Sequence, residues 1–562
     1  MISFFCTFCH QKLKANENLA GRTIKCPTCR ETTQIPQTSA PAPQNVNSAP
    51  KLDTQKLDTR DIAAAIPTGK EITCPHCFQK FRMSELLFIA THPDLVGDTV
   101  LGAEAPIRFS PTSLDANGYA IDAKGMSCPD MACPRCHLAV PANITDYPAI
   151  YFSVVGAPSA GKSYYLTAMT WQLRRILAES FDYAFSDTNT KFNATLNGYE
   201  SLLFLNMNKE QIVALPKTEL QGTEYSSQIV YNGMRIDLPK PFIFTLKPST
   251  MNPRSKKPQG GVRNIVVYDN AGEHYEPGQD QAANFATKHL QHASGITFLF
   301  DPVKDARMIS RCSQEDPQVS KVNRSVNQII LLQEMIARIK KYANIRGGEK
   351  FKTTLVVVIP KYDAWKDDFP LDLAKTEFTY FDAKSICTYL NLSAITNVSY
   401  VMRKRLLQLS PDVVSTCEEF FERVYYIPTS SLGRMPVYDE QTSQIGIRPD
   451  DLKPIWAEVP MLLQMHVAGL LSVAHVPGSV AAGSELETIA IQNCQFVDNF
   501  MTYVLPGGNK RETTPTTFCG CTVYDESINK FLRFPLKPKT ESAAAAKSAP
   551  AANGAGLDDF WN

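Results

Sequence analysis

The sequence has almost no net charge and no long apolar run. Lys plus Arg number 57 and Asp plus Glu 56 among 562 residues, a formal net charge of +1. No whole-molecule field therefore attracts nucleic acid or an anionic membrane, and binding to either would have to be local. No apolar stretch approaches the roughly 20 residues that cross a bilayer. The opening residues, MISFF, lack the basic flank and cleavage site of a secretory leader. These absences predict a soluble, cytoplasmic protein with no membrane partner.

The length of the chain predicts several domains. A sequence of 562 residues, 44% of them hydrophobic, suits about three to four units with buried cores. Two segments, 37–69 and 537–562, are instead rich in small and polar residues and poor in aromatics. Such composition is typical of a flexible linker and a disordered tail. The tail ends in LDDFWN, which is either a docking peptide for a protein partner or part of an ordinary solubilising tail.

The cysteines are concentrated near the N-terminus in a spacing typical of metal sites. Of 15 cysteines, nine lie before residue 137, and eight of those form four Cys-x-x-Cys pairs. One tight turn presents both sulfurs of such a pair to the same ion, and two turns complete a tetrahedral zinc site. The first predicted zinc ribbon uses Cys6, Cys9, Cys26 and Cys29.

The second zinc ribbon is interrupted by a long insertion. Its predicted ligands are Cys74, Cys77, Cys133 and Cys136, with 55 residues between the two pairs. Cys128 competes as a ligand, and His76 and His137 could substitute, although both histidines are interpreted as solvated neighbours. Nothing places an open coordination position beside an acid or base, so both zinc ions are predicted to be structural.

A phosphate-binding loop follows a predicted buried strand at 150–155. The sequence GAPSAGKS fits the pattern G-x-x-x-x-G-K-[ST] and leads into a predicted helix. Its glycines let the backbone wrap a phosphate, and the helix N-terminus and a lysine bind the phosphate oxygens. The candidate nucleotide-binding residues here are Gly156, Ser159, Ala160, Gly161, Lys162, Ser163 and Tyr164.

Three later motifs each follow a predicted strand. The strand at 263–269 ends in D-x-x-G, formed by Asp269 and Gly272, and a strand at 295–300 has no motif of its own. The strand at 354–359 leads into Pro360-Lys361-Tyr362-Asp363, which departs from [NT]-K-x-D at its first position. The segment resembles the [NT]-K-x-D motif of GTPases, in which the aspartate accepts hydrogen bonds from guanine, and this resemblance implies the same role for Asp363. The strand at 424–427 leads into a loop containing Ser430 and Ser431, whose backbone would donate to the base. Motifs at the carboxyl ends of successive strands predict a doubly wound, mostly parallel α/β sheet flanked by helices.

Together these motifs resemble the Ras-like, translation-factor class of P-loop GTPases. The zinc ribbons, the YDNAGE motif and the KPIWAEVPMLLQM segment look like the bacterial double-GTPase domains associated with conflict systems. This resemblance spans about residues 74–476. It implies a nucleotide-dependent switch that binds GTP or GDP, with a role in bacterial defence.

The GTPase resemblance also implies a magnesium ion and a hydrolytic centre. Ser163 and Asp269 are the expected Mg²⁺ ligands, together with a switch threonine that is either Thr218 or Thr223. Glu273 lies where small GTPases have a water-orienting glutamine, and His274 follows it. A carboxylate there repels the γ-phosphate, so the expected catalytic set of Lys162, Glu273 and His274 predicts slow hydrolysis unless an arginine is supplied in trans.

The predicted domain boundaries follow from these motifs. A zinc ribbon occupies 1–36, a linker 37–69, the second ribbon 70–147, the GTPase domain 148–478, an extension of unknown fold 479–536 and the tail 537–562. Two alternative functions remain: an ATPase on the same scaffold, which Pro360 leaves open, and a nucleic-acid adaptor that uses the zinc ribbons. The net charge of +3 over 1–36 gives the adaptor weak support.

Overall fold

A computed structural model gives the fold of most of the chain after residue 70 and part of the N-terminal module. The residues it describes are 2–5, 12–19, 21–30, 32–34, 71–216, 226–231, 234–269, 285–320, 327–383, 385–440, 442–474, 476, 488–491, 494–497, 500–505, 508, 510–513, 522–525 and 530–534. The chain divides into two compact units, Met1–Lys56 and Leu57–Asn562.

The first unit contains two short antiparallel hairpins. Ile2–Phe5 pairs with Lys12–Ala15, and Thr23–Lys25 pairs with Thr32–Gln34. A 3-10 turn, Glu17–Leu19, lies between the hairpins in the sequence. The Cys26–Cys29 turn therefore connects the two strands of the second hairpin.

The second unit is built on a seven-stranded sheet. Its strands in chain order are β1 (Ala149–Gly156), β2 (Tyr183–Asp187), β3 (Phe242–Pro248), β4 (Arg263–Asp269), β5 (Gly295–Leu299), β6 (Thr354–Ile359) and β7 (Val424–Pro428). Their spatial order is β2-β3-β4-β1-β5-β6-β7. The five strands from β4 to β7 are mutually parallel, while β3 runs antiparallel to both β2 and β4. The carboxyl ends of β1, β4, β5, β6 and β7 therefore lie along one edge of the sheet.

Helices cover this sheet. The longer ones are α1 (Lys162–Phe181), α2 (Ala194–Phe204), α3 (Gln328–Ala343), α4 (Leu392–Leu409), α5 (Pro411–Phe420) and α6 (Val459–Val467). Every residue of β5 and β6 is buried. Parallel strands that are apolar along their whole length are covered on both faces, because alternate side chains point to opposite sides.

Small strands make up the region before the sheet, at 71–140. One four-stranded sheet has the order Arg108–Phe109, Leu87–Ile89, Met131–Ala132, Ala139–Val140. Two-stranded pairs join Glu71–Thr73 with Lys80–Arg82, Val96–Asp98 with Gly102–Pro106, and Ala120–Ile121 with Ser127–Cys128.

Further short strands lie after β2 and at the end of the chain. Ser226–Tyr231 pairs with Met234–Pro239, Val437–Asp439 pairs with Gln444–Gly446, and Thr379–Asp382, Cys387–Asn391 and Val473–Ala474 form a three-stranded sheet. The C-terminal extension contributes two three-stranded sheets, formed by Thr488–Ala490, Lys530–Arg533 and Thr522–Asp525 and by Cys494–Val497, Phe500–Val504 and Lys510–Thr513.

The expected α/β architecture is confirmed in its coarse form, as a large mixed sheet with helices. The finer division into domains stays a prediction, and the linker and the tail lie outside the described residues. Among the residues that the structure describes, no helix has the length and apolarity that a membrane span requires.

Candidate functional site

The predicted phosphate loop lies between β1 and α1. A Cβ atom added to Gly156 would approach the Cβ of Leu299 on β5 to 2.9 Å, closer than real contacts of this kind. Gly161 precedes the first residue of α1 and has a φ of +88°, a conformation that favours glycine. The two glycines of the motif are therefore required by a close strand contact and by the tight entry into the helix.

Lys162 folds back over this loop. Its Nζ donates hydrogen bonds to the carbonyl oxygens of Gly156, at 3.0 Å, and of Ala157, at 3.1 Å. These bonds hold a positive charge beside the loop and the N-terminus of α1. The arrangement suits an anionic group, because backbone N–H groups and the helix dipole favour negative charge at this position.

Asp269 is the last residue of β4 and lies beside the phosphate-loop strand. It is in register with Val154 of β1 and is 7% exposed. Its Oδ1 is buried and has no hydrogen-bond partner in the described part of the chain. Burial raises the pKa of this carboxyl to about 6, although the charge of Lys162 opposes the shift. A buried carboxylate oxygen without a partner fits a ligand for a hard cation such as Mg²⁺.

The predicted base-recognition residues meet at the ends of β6 and β7. Asp363 is buried, and its carboxylate accepts a hydrogen bond from the hydroxyl of Ser430. That hydroxyl in turn accepts from the backbone N–H of Gly433 at 2.7 Å. Burial raises the pKa of Asp363 to about 6, against the opposing effect of the Ser430 hydrogen bond.

Lys361 forms an ion pair with a buried aspartate, a contact that the sequence did not disclose. Its Nζ lies 2.6 Å from Oδ2 of Asp301, a residue that is fully buried. Asp301 follows β5 and caps the turn Pro302–Lys304 by accepting from the N–H of Val303. An acidic residue directly after a buried parallel strand was the signal that could have identified it.

One cavity of about 530 Å³ is lined by part of each group of residues, but not by Lys162, Ser163 or Asp269. From the phosphate loop it is lined by Ser159, Ala160, Gly161 and Tyr164, and from the later loops by Pro360, Lys361, Asp363 and Ser431. Lys304 and Gln318 also line it, and no sequence signal pointed to either residue. Residues predicted independently from two distant motifs therefore border the same space.

Several predicted site residues lie outside the described residues. They are Gly272, Glu273, His274, Thr218 and its competitor Thr223. Tyr164, in contrast, has a defined contact: its hydroxyl accepts a hydrogen bond from the backbone N–H of Leu215 at 2.8 Å. The first turn of α1 is thus tied to the segment that leads toward the two candidate threonines.

The second cysteine set forms a compact cluster. The sulfur atoms of Cys74, Cys77, Cys133 and Cys136 all lie within 4.8 Å of one another. The Cys74–Cys136 and Cys77–Cys133 distances are 3.7 and 3.8 Å. A tetrahedral zinc ion with bonds of about 2.3 Å to sulfur requires sulfur–sulfur distances of about 3.8 Å. Burial raises the pKa of the Cys74 thiol, so a cation would stabilise its thiolate. The donor set therefore fits zinc.

Three of the four Cys-x-x-Cys turns share one backbone geometry. The residues after the second cysteine, Arg30, Phe78 and His137, have φ values of 62°, 59° and 59°. Their N–H groups donate to the carbonyl oxygen of the first cysteine at 2.9, 3.1 and 3.0 Å. The first unit thus has one such turn, at Cys26 and Cys29, while Cys6 and Cys9 lie outside the described residues.

The remaining candidate ligands are used differently. Cys128 lies apart from the four-sulfur cluster, with its sulfur near Asp122 and Thr91. The interpretation of His76 as solvated is wrong: it is 3% exposed, with ring nitrogens 3.1 and 3.0 Å from the carbonyl oxygens of Pro239 and Ala139. Packing of the cysteine cluster against the Met234–Pro239 strand removes His76 from solvent.

Comparison with known proteins gives distant similarities. No protein-family model matches the chain. A putative ESX-1 scaffolding and assembly protein, SaeC of Mycolicibacterium smegmatis, is 26% identical over 249 residues, covering 41% of this chain and 57% of that protein. The chain thus spans less than two thirds of this curated relative.

Two solved structures show weak similarity to this chain. The GTPase-like domain of S. cerevisiae Ski7 bound to GTP has 10% identity and a TM-score of 0.25, covering 68% of this chain and 62% of that one. Sup35 complexed with GDP has 10% identity and a TM-score of 0.17, covering 68% and 57%.

Proposed function

We propose that the protein is a GTP-binding switch with slow, Mg²⁺-dependent GTP hydrolysis. The observation that carries this proposal is the single cavity bordered by the phosphate loop at one side and by Lys361, Asp363 and Ser431 at the other. A nucleoside triphosphate has an anionic tail and a flat base at its two ends, which is the chemistry that these two groups of residues suit.

Guanine is the base that best matches the buried carboxylate. An ionised Asp363 accepts hydrogen bonds only, and guanine offers two neighbouring donors at N1 and N2, whereas adenine presents an acceptor at N1. A site built around a buried hydrogen-bonding group rejects the analogue that leaves the group unpaired. Pro360 removes one side-chain contact expected in this class, so the preference for GTP over ATP rests on Asp363 and on the loop containing Ser430 and Ser431.

Magnesium would be held by Ser163, Asp269 and a switch threonine, Thr218 or Thr223. Bound there, the ion neutralises phosphate charge and orients the terminal phosphate. Lys162 supplies a further positive charge to the phosphates. A carboxylate at Glu273 would repel the γ-phosphate, and His274 is the other residue proposed for the catalytic set beside Lys162. Turnover of GTP by the isolated protein is therefore expected to be slow.

A competition experiment tests the proposal. Binding of a fluorescent GTP analogue with Mg²⁺ is measured for the wild type, Asp363→Ala and Lys162→Ala, with unlabelled GTP and ATP as competitors. The wild type should prefer GTP, Asp363→Ala should lose the preference while it still binds triphosphate, and Lys162→Ala should lose both nucleotides. A wild type that binds ATP as tightly as GTP would support the ATPase alternative, and one that binds neither would refute the nucleotide site.

We further infer that the zinc ribbons and the C-terminal tail recruit protein partners. The similarity to a putative scaffolding and assembly protein supports a recruiting role. For the nucleic-acid alternative, the expected affinity would fall steeply with salt, because phosphate contacts release counterions. Pull-down with the Cys26→Ser variant, compared with the wild type, tests whether the first ribbon is needed to capture a protein.

A further inference from the structure

The second metal cluster packs directly against the strands of the nucleotide site. The Tyr268 hydroxyl on β4 donates a hydrogen bond to the carbonyl oxygen of Pro75, which lies between Cys74 and Cys77, at 2.6 Å. The Tyr151 hydroxyl on β1 donates to the carbonyl oxygen of Thr73 at 3.3 Å. Tyr268 immediately precedes Asp269, the candidate Mg²⁺ ligand. The cysteine turn therefore contacts the side chain of the residue that precedes this carboxylate.

Phe78 makes the second contact between the cluster and the sheet. It is the residue after Cys77, and its φ of 59° is set by the turn that the cysteine pair forms. Its ring centroid lies 5.7 Å from that of Tyr268 and 6.3 Å from that of Tyr151. It also stacks on His292, with centroids 5.3 Å apart and planes inclined by 14°.

These contacts bracket the segment that contains the D-x-x-G motif. Tyr268 lies just before residues 270–284, and the 3-10 helix Phe285–His292 lies just after them. His289 of that helix stacks on Tyr268 at 4.6 Å and has its Nε2 2.7 Å from the Ser153 hydroxyl. The Cys74–Phe78 turn thus contacts Tyr268, which precedes residues 270–284, and the 3-10 helix Phe285–His292, which follows them.

We propose that the metal-binding turn positions Asp269 for Mg²⁺ and nucleotide, with Tyr268 and Phe78 as the positioning residues. The proposal rests on the proposed GTP-binding function. A metal ion held by the four thiolates would fix the backbone of both cysteine turns. The Pro75 carbonyl then holds the end of β4 through Tyr268, and Phe78 holds the helix beyond the motif. Removal of a group that orients a metal ligand without binding the metal itself commonly lowers metal affinity by about 10 to 100-fold.

The Tyr268→Phe variant tests the role of the hydroxyl while it keeps the ring. Its matched control is Tyr151→Phe, which loses a hydroxyl bond to the same turn from the neighbouring strand. Affinity for a fluorescent GTP analogue is measured with Mg²⁺ and with EDTA, and zinc content is measured in each sample. Tyr268→Phe should keep its zinc and its affinity in EDTA. The increase in its affinity when Mg²⁺ is present should be about tenfold smaller than in the wild type. Tyr151→Phe should match the wild type.

If the wild type binds GTP and Tyr268→Phe shows the same dependence of affinity on Mg²⁺, the positioning role is overturned. A wild type that does not bind GTP would instead refute the proposed function. A second measurement separates the two failures, because it needs no nucleotide. Hydrogen exchange is compared in the full-length wild type and in Cys133→Ser, for peptides covering 263–269 and 285–292.

The metal-site variant should exchange about tenfold faster in those two peptides, while β6 at Thr354–Ile359 stays as protected as in the wild type. Unchanged exchange at 263–269 and 285–292 would show that the cluster does not hold these elements and would overturn the inference. Faster exchange across the whole sheet, β6 included, would also count against it, because the cluster would then be needed for the fold in general.

Discussion

The hydroxyl of Ser430 donates a hydrogen bond to the carboxylate of Asp363 and accepts one from the N–H of Gly433. Asp363 and Ser430 are 67 residues apart and meet because β6 and β7 are neighbouring parallel strands. The bond fixes the Asp363 side chain, which we propose forms hydrogen bonds with the guanine base. The proposed recognition of guanine by Asp363 would depend on the protonation of this single carboxyl.

Guanine preference should therefore depend on pH. Burial raises the pKa of Asp363 to about 6, with Asp316 adding to the shift and Lys361 opposing it. A protonated carboxyl cannot accept from both guanine donors, so the ratio of GTP to ATP affinity should fall by about tenfold from pH 8 to pH 5. Competition binding across this range gives the ratio, which removes effects common to both nucleotides, such as titration of Asp269.

The Ser430→Ala variant should shift this transition to higher pH, because the carboxylate loses a hydrogen bond that favours its charged form. Ser431→Ala is the matched control in the same loop and should keep the wild-type midpoint. A ratio that stays flat from pH 5 to pH 8 would count against guanine recognition by Asp363.

The nucleotide-free protein should be stabilised by removal of the Asp269 charge. In the folded state the pKa of Asp269 is raised by burial from 3.8 to about 6. Between these two pH values the folded state therefore binds more protons than the unfolded state. Stability is then lost as pH rises through this window and stays lower above it. At pH 8, Asp269→Asn should unfold at a higher temperature, with a gain of up to about 3 kcal/mol.

The same variant should gain only about 0.5 kcal/mol at pH 4, because the folded carboxyl is protonated there and the unfolded carboxyl is protonated for almost half of the time. Thermal unfolding without nucleotide or Mg²⁺ measures both conditions. Asp367→Asn, at an exposed carboxylate, is the control and should leave the midpoint unchanged at either pH. A destabilised Asp269→Asn at pH 8 would mean that this carboxylate has a partner that stabilises its charge in the free protein.

The Lys361–Asp301 pair should be costly to break singly. Asp301 is fully buried and the Lys361 side chain is 13% exposed, so removal of one partner leaves a largely buried charge uncompensated, at about 3 to 5 kcal/mol. Asp301→Asn should therefore lower stability by about this amount. The double variant Asp301→Asn/Lys361→Met should recover most of the lost stability, because neither charge of the pair remains. Its affinity for both nucleotides should be lower than that of the wild type. Denaturant unfolding and nucleotide titration of the same samples check this, and a double variant less stable than Asp301→Asn would contradict it.

Metal content should follow the two cysteine sets. The full-length protein should contain about two zinc ions, and Cys136→Ser should lose one of them. Cys128→Ser is the matched control, because the Cys128 sulfur lies outside the four-sulfur cluster, and it should keep both. Zinc in acid-digested samples is measured by mass spectrometry. Loss of zinc from Cys128→Ser would restore Cys128 as a ligand.

The strands and their motifs could be predicted because the central strands are apolar on both faces. Runs such as Thr354–Ile359 have no polar alternation, and each motif follows directly from the strand end. Each bound of the expected strands at 150–155, 295–300 and 424–427 differs from the observed bound by one residue at most. The pairing of Cys74 and Cys77 with Cys133 and Cys136 also agrees with the observed cluster.

The partners of the site residues could not be predicted in the same way. Asp301 is separated from Lys361 by 60 residues and Pro75 from Tyr268 by 193. Lys304 and Gln318 belong to no motif, and His76 looked exposed because its sequence neighbours give no sign of the Met234–Pro239 strand that covers it. Each of these contacts depends on which elements pack together.

By itself, the sequence determined the local chemistry: a glycine-rich GAPSAGKS loop between a strand and a helix, cysteine pairs at metal spacing, and acidic residues at strand ends. These are consequences of a few neighbouring residues and their backbone geometry. Only the tertiary structure decided that the GAPSAGKS loop and Asp363 border one cavity and that the cysteine cluster packs against Tyr268. Strand order and packing of the cysteine cluster are set by burial of side chains far apart in the chain, which no local spacing records.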